Sequence, residues 1–325
     1  MKVLVTGGAG FIGSHLCERL LARGDELLVL DNFNDFYDPA IKRANAAGLE
    51  GARIVEGDIR DADLVGKLFE EFHPEALVHL AAMAGVRPSL EDPLLYQDVN
   101  VRGTMVLLEA LRASPDTRFV FASSSSVYGG NEKVPFSEAD ELNRPVSPYA
   151  ATKRAGELIA FTYHHLFGIP TTCLRFFTVF GPRQRPEMAI HKFVALVLKG
   201  EAIPFFGDGE SRRDYTYVDD IVAGVLAAID RCEGYGIYNL GESQTTSLAD
   251  LVQMIGEVCG RDPILERLPN QPGDVPVTCA DISRAQADLD YQPSTTVRAG
   301  LESFLAWYLG GPGASSSGAE GAPIV

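Results

Sequence analysis

Tyr149 and Lys153 stand four residues apart in the stretch Ser147-Pro148-Tyr149-Ala150-Ala151-Thr152-Lys153. On a helix that spacing puts both side chains on one face. Pro148 suits the first turn of such a helix and Ser147 its cap. An ammonium beside a phenol favours the phenolate, because an opposite charge within ~4–6 Å lowers a pKa by ~1–3 units. A phenol that ordinarily titrates near ~10 then becomes a proton-transfer group working near neutrality. The same spacing is common on ordinary helix surfaces, so its weight depends on what the rest of the chain supplies.

Two further stretches supply chemistry. Gly7-Gly8-Ala9-Gly10-Phe11-Ile12-Gly13 comes after the β-branched run Lys2–Thr6, and it precedes Ile12, Leu16, Leu20 and Leu21 at helical spacing, with Gly24 near the helix end. Strand, glycine loop and helix in that order form a phosphate cradle: the backbone turns tightly, and the helix N-terminus offers free N–H groups. The spacing is G-x-x-G-x-x-G rather than G-x-G-x-x-G. Glu26–Leu30 reads as a second strand ending in Asp31, eighteen residues after Gly13, where a carboxylate takes the ribose hydroxyls of NAD and repels the 2′-phosphate of NADP. Farther on, Ser123-Ser124-Ser125-Ser126 places four hydroxyls after the strand Arg118–Ala122, where open α/β sheets bind ligands.

The elements that must position these groups alternate. Arg53–Glu56 and Ala76–Leu80 read as third and fourth strands. Asp58 comes after the third, either to meet the adenine end of a cofactor or to cap the next helix. His79 lies inside an apolar run and reads as a core histidine rather than a base. Small residues from Ala81 to Gly85 let a cofactor lie close. One long helix over 92–113 carries Asn100, the Tyr149 helix runs to about Phe167, and Thr171–Phe177 is a sixth strand. The alternation predicts an α/β fold, a Rossmann-like doubly wound parallel sheet covered on both faces. After Thr178 the character changes. Loops at 181–186, 207–215 and 271–276, rich in Gly, Pro, Arg or Asp, separate helices near 188–199, 219–230, 247–259 and 297–309, predicting a smaller mixed, α-rich substrate-binding cap. The expected organisation is an NAD-binding domain over 1–178, with about 214–241 returning to it, and a cap over 179–213 and 242–309. The low-complexity tail 310–325 is expected to be disordered.

The totals bound the function class. A net charge of −16 over 325 residues argues against nucleic acid or an anionic membrane as partner, while leaving room for an anionic small molecule held by local arginines. No apolar run is long enough to span a bilayer. The five cysteines are scattered without metal-ligand spacing, so no metal is expected. The opening residues run straight into the first strand rather than a secretory leader, and a cytoplasmic enzyme is the expectation.

Thr6 through Gly13, Ser124, and Tyr149 through Lys153, in that order and at those distances, resemble the extended short-chain dehydrogenase/reductase family of nucleotide-sugar enzymes, over residues 1 to about 309. Within that family, Asp31-Asn32-Phe33-Asn34-Asp35-Phe36-Tyr37-Asp38, Ala84-Gly85-Val86-Arg87, Arg175 through Pro182 and Arg185-Pro186-Glu187-Met188-Ala189 are similar to the UDP-glucuronate 4-epimerases. The resemblance implies a UDP-sugar substrate and a bound NAD recycled in each turnover. Tyr149 would take the proton of the sugar 4-hydroxyl as C4 is oxidised. Lys153 would lower the Tyr149 pKa and hold the nicotinamide ribose, and Ser124 would hydrogen-bond O4. Around NAD it places Gly7, Gly10, Phe11, Ile12, Gly13, Asp31, Asn32, Asp58, Ile59, Leu80, Ala81, Ala82 and Phe176, with Asn100 on the wall toward the substrate. Helices near 92–113 and 149–166 would pair two copies into a homodimer.

Residue type separates rival reactions within the family. The 4,6-dehydratases carry an Asp-Glu pair after the catalytic hydroxyl; here those positions are Ser125 and Ser126. The decarboxylases usually carry a Glu in this stretch, and galactose 4-epimerases typically have Asn where this chain has Thr178. Ser125, Ser126 and Thr178 with a nearby Arg suit a sugar carboxylate. For the nucleotide, the resemblance assigns Arg213 to the diphosphate or ribose and Asp274 to the uridine ribose. Gln271 stands where several relatives have Arg, and Arg87 and Arg185 are diphosphate or carboxylate contacts. The alternatives are a UDP-hexose 4-epimerase, a UDP-glucuronate decarboxylase, or a non-catalytic NAD-binding scaffold.

Overall fold

The computed structural model describes residues 1–269 and 275–310. β1 (Lys2–Thr6) passes through the glycine loop into α1 (Phe11–Arg23), which closes on Gly24 in the left-handed region, φ +86°. Next come β2 (Glu26–Asp31), α2 (Pro39–Ala47), β3 (Arg53–Glu56), α3 (Ala62–Phe72) and β4 (Ala76–His79). The crossover from β4 is composite: α4 (Pro88–Glu91), α5 (Pro93–Gln97), a π-helical segment over Asp98–Gly103, and α6 (Thr104–Arg112). The expected helix over 92–113 is thus interrupted at Asn100, where the wider turn lets that side chain reach sideways to two neighbouring segments. β5 (Arg118–Ser124), α7 (Pro148–Phe167) and β6 (Thr171–Phe176) complete this half.

Beyond it come β7 (Thr178–Phe180), α8 (Ala189–Lys199), β8 (Ala202–Phe206), β9 (Arg212–Arg213), β10 (Tyr215–Tyr217), α9 (Val218–Asp230) and β11 (Tyr235–Leu240). β12 (Thr246–Ser247), α10 (Leu248–Cys259), β13 (Ile264–Leu268), α11 (Ser283–Leu289) and α12 (Val297–Gly310) end the described chain.

Seven strands form one parallel sheet in the order β11-β6-β5-β4-β1-β2-β3. The order reverses at β1 and β4, the position where such sheets open a crevice beyond their carboxyl ends. Strand residues alternate between two cores. Val3, Val5, Val29 and Val120 join the core on one face with Leu16 and Leu20 of α1 and Ile221 and Val225 of α9. Leu4, Leu28, Leu77, Phe119 and Phe121 join the other with Leu68 of α3, Leu107 of α6 and Ala160 of α7. Both faces are buried, which is why the strands read as near-continuous apolar runs.

The expected sixth strand over Thr171–Phe177 divides. The Phe177 N–H still bonds to the Leu240 carbonyl of the sheet, whereas the Thr178 N–H turns to the Asp214 carbonyl. From there β7 pairs with β10, Thr178 opposite Tyr215. Thr178 is therefore the first residue to leave the hydrogen bonding of the large sheet. The cap has its own core, built by Phe193 and Val197 of α8, Leu251 and Ile255 of α10, and Leu301 and Phe304 of α12. Its small pairings are β8 with β13 and β9 with β12.

Candidate active site

The glycine loop is shaped by what it must leave out. Gly7 sits at φ +74°, and a Cβ there would stand 2.7 Å from the Ala81 nitrogen. A Cβ on Gly13 would run into the Gly7 carbonyl. No side chain caps α1, and its first turn carries no acid. Its leading N–H groups thus face the crevice with the positive end of the helix dipole. At the end of β2 the buried Asp31 carboxylate accepts from the Ala9 N–H at 3.1 Å and the Phe33 N–H at 2.9 Å, pinning the loop while keeping lone pairs for a ligand. A side-chain-free cradle, an uncapped helix start and a carboxylate at the second strand fit NAD, as diphosphate and then ribose.

A cavity of about 370 Å³ runs from this cradle to the ends of β5 and β6. Gly7, Gly10, Phe11, Ile12, Gly13, Asp31, Asn32, Ile59, Leu80, Ala81, Ala82 and Phe176 all line it. Two residues assigned to the cofactor do not. Asp58 is held by Arg60, Nε at 2.9 Å and Nη2 at 2.8 Å, and by Asn32 Nδ2 at 3.2 Å. Those bonds lower its pKa to about 2. It does not cap the next helix either, since Asp61 takes the Leu64 N–H. Asn100 lies buried behind the wall. Its amide accepts from the Met83 N–H at 2.8 Å and donates to the Met83 carbonyl at 2.9 Å and Thr152 Oγ1 at 3.1 Å. These bonds brace the Met83 segment against α7. His79 is fully buried between Thr6 Oγ1 and Thr104 Oγ1, at 2.7 and 3.0 Å, with burial lowering its pKa to about 3: a core histidine.

The catalytic candidates meet at the cavity's centre. Ser147 caps α7 by accepting the Ala150 N–H, Pro148 occupies the first turn, and Tyr149 and Lys153 share the inward face. The Tyr149 ring packs edge-on against Tyr96 at 6.2 Å between centroids. The serine run divides its work. All four serines line the cavity, but the Ser123 hydroxyl is spent on Glu157 Oε1 at 2.6 Å. Ser124 donates to Ser126 Oγ at 3.1 Å and accepts the Ser126 N–H at 3.2 Å.

The surroundings of Tyr149 and Lys153 add further influences to the Tyr–Lys pair. Lys153 gives its ammonium to the Ala122 carbonyl at 2.7 Å and stands 6.0 Å from the Tyr149 ring centroid. Burial lowers the Lys153 pKa to about 8, opposed by Glu157. Burial also raises the Tyr149 pKa, opposed by the Ser124 hydroxyl and then by the Arg185 guanidinium. Ser124 and Arg185 thus both draw the phenol toward ionisation.

At the substrate end, Ser125, Ser126, Thr178 and Arg185 line the same cavity as Ser124, Tyr149 and Lys153. Arg185 pairs with Glu187 at 3.1 Å and lies over the Phe36 ring. Arg87 is not part of that wall; it packs over Phe206 of the cap. Arg213 lies on β9 and donates to the Arg212 carbonyl at 2.9 Å, also outside the cavity wall. Gln271 and Asp274 lie outside the described residues.

Sequence reasoning missed Lys42, buried in the cavity wall. Its ammonium is held by the Asn34 carbonyl at 2.9 Å and Asn34 Oδ1 at 2.6 Å, and lies over the Tyr37 ring. A lysine in a polar stretch reads as surface; only the folding of the 32–38 loop over α2 buries it. The run Asp31 through Asp38 held the available signal, since Asn34, Phe36 and Tyr37 all face the cavity.

Proteins of known activity resemble this chain over nearly its whole length. The family described as NAD dependent epimerase/dehydratase matches residues 3–241. UDP-glucuronate 4-epimerase 3 of Arabidopsis thaliana is 48% identical, over 95% of this chain and 76% of that protein. A crystal structure of UDP-glucuronic acid 4-epimerase from Bacillus cereus, in complex with UDP-glucuronic acid and NAD, superimposes with a TM-score of 0.90 at 36% identity, covering 95% of this chain and 99% of that one. The dTDP-glucose 4,6-dehydratase DesIV of Streptomyces venezuelae, with NAD bound, superimposes almost as well, TM-score 0.89 at 32% identity over 96% and 98% of the two chains. Fold likeness alone therefore does not choose the reaction.

Proposed function

Because this chain belongs to the NAD dependent epimerase/dehydratase family, we propose that it interconverts UDP-glucuronate and UDP-galacturonate through a transient 4-keto sugar, with NAD retained between turnovers. The observation that carries the substrate is the shared wall: Ser125, Ser126, Thr178 and Arg185 line one cavity with Ser124, Tyr149 and Lys153. Three hydroxyls and a guanidinium suit a C6 carboxylate. No Asp-Glu pair comes after Ser124 to eliminate water.

Bound NAD would supply the hydride acceptor for C4 and the donor that restores it. The chain supplies the rest. The cradle and Asp31 fix the cofactor's diphosphate and ribose. Tyr149 removes the 4-hydroxyl proton and later returns it. Ser124, bonded onward to Ser126, orients O4 and links the phenol to the carboxylate end of the cavity. Lys153 keeps a cation beneath the site. The 4-keto uronate is a β-keto acid and loses CO2 when its C5–carboxylate bond stands perpendicular to the carbonyl plane. Charge-assisted hydrogen bonds to the carboxylate hold it away from that geometry.

The dimer and compartment belong to the same proposal. Leu94, Met105, Leu158, Phe161 and Leu166 are exposed apolar residues on α5, α6 and α7, and a second copy of the chain would cover them. Five free cysteines and a nucleotide substrate suit the cytoplasm. Incubating the purified protein with UDP-glucuronate and resolving the products tests the reading. UDP-galacturonate without CO2 is expected; a UDP-pentose with CO2, or no turnover, overturns it.

A further inference from the structure

Behind the cavity lies a buried ion cluster that the proposed chemistry leaves unused. Glu157, on α7 one turn after Lys153, is 0% exposed. Its Oε1 accepts from Ser123 at 2.6 Å and Arg175 Nε at 2.9 Å; its Oε2 accepts from Arg175 Nη2 at 2.9 Å and Arg154 Nη1 at 2.8 Å. Arg175, 1% exposed, reaches on to the Tyr128 hydroxyl at 3.0 Å. One carboxylate therefore joins β5, β6 and α7, and it does so at the residues adjoining Ser124, Phe176 and Lys153. Burying a carboxylate and a guanidinium together costs about as much as their attraction returns. The packing of these three elements alone would be served as well by apolar residues.

We propose that Glu157 is a positioning residue for the Ser124–Tyr149–Lys153 constellation: it bolts the ends of β5 and β6 to α7, and it is the buried counter-charge that holds Lys153 as an ammonium beneath the phenol. The proposal rests on the functional reading of that constellation. The groups facing Lys153 can be named element by element. From α7 come Tyr149, Arg154 and Glu157. β4 supplies His79, which stays neutral; β5 supplies the Ala122 carbonyl and the Phe121 ring at 5.2 Å; β6 supplies Arg175, bound to Glu157. From the cap loop, Arg185 acts on Tyr149. Among these, Glu157 is the one anion at neutral pH. Burial lowers the Lys153 pKa to about 8 and Glu157 raises it, so the lysine loses its charge as pH climbs through that range.

Glu157→Gln and Arg175→Gln remove opposite charges from one cluster while disturbing the same packing. The alkaline limb of the kcat/KM profile for UDP-glucuronate should move down by about one pH unit in Glu157→Gln and up in Arg175→Gln, the direction set by the charge removed. A merely structural role would lower activity at every pH in both variants and leave the limb in place, or move it the same way in both; either result overturns the proposal. The Lys153 titration is also read without turnover, from the resonance of its ammonium in protein carrying isotope-labelled lysine, assigned with Lys153→Arg. A protein inert toward UDP-glucuronate would defeat the functional reading and leave this test standing. If Glu157→Gln does not fold, the upward shift in Arg175→Gln decides alone: an unmoved or lowered limb refutes it.

Discussion

In the proposed reaction, the fate of the sugar after C4 oxidation falls to four residues, distinct from those assigned to the oxidation itself. Ser124, Tyr149 and Lys153 suit any member of the family. Ser125, Ser126, Thr178 and Arg185 share their cavity wall, and to them falls the proposed choice of sugar. Ser126→Ala or Thr178→Ala removes one hydrogen bond to a charged group, a loss of about 1.5–3 kcal/mol. UDP-glucuronate KM should rise roughly tenfold or more, or the decarboxylated share of product should rise with it. Wild-type KM and product ratio in both variants would contradict the carboxylate assignment. Tyr149 and Lys153 were legible in the sequence because a four-residue spacing survives whatever the helix packs against. Lys42 and Glu157 were not, because only tertiary packing decides that a charged residue of a helix is buried. Asp58 and Asn100, expected beside the ligands, are held by protein partners outside the cavity wall, since an Asp or Asn near a cofactor site looks the same whether it braces or binds.

Among the elements, the glycine loop with α1 and the π-helical segment with α7 hold the two ends of the site. Gly13→Ala places a methyl against the Gly7 carbonyl. That variant should purify with at least about tenfold less bound NAD than the wild type, measured by absorbance after denaturation. Full occupancy would show the cradle to be looser than its packing requires. The loop carrying Arg185 is tied back to α1, through His15 Nε2 and the Pro182 carbonyl at 2.9 Å and through Arg183 and Glu18 at 2.6 Å. The helix after the glycine loop and the loop that carries Arg185 thus share one support. Apolar periodicity announced the parallel sheet clearly. It could not reveal the interruption at Asn100, because a π turn shifts the register of a helix by one residue without changing its composition. Nor could it divide the sixth strand at Thr178, where the chain changes hydrogen-bonding partners rather than conformation.

The whole molecule is acidic, with a net charge of −16, yet its cavity gathers Lys42, Lys153 and Arg185. Such local focusing lets an anionic substrate enter a negative molecule, and it makes binding weaken with salt. Cap and sheet meet at Asp214, which is fully buried and accepts from the Glu242 N–H at 2.7 Å, the Ala280 N–H at 3.0 Å and Thr216 Oγ1 at 3.1 Å. Leu158, Phe161 and Leu166 of α7 are exposed apolar residues. On the proposed pairing, Phe161→Glu should convert the dimer to monomers in sedimentation while leaving bound NAD in place. An unchanged sedimentation coefficient would remove this face from the interface. The central claim is reversible oxidation at C4 with the carboxylate retained. UDP-glucuronate carrying deuterium at C4 tests it most directly. The account predicts UDP-galacturonate with the deuterium still at C4 and the carboxyl intact, because the hydrogen that leaves is the one that returns. Loss of the label to water, or a product lacking the carboxyl, would contradict it.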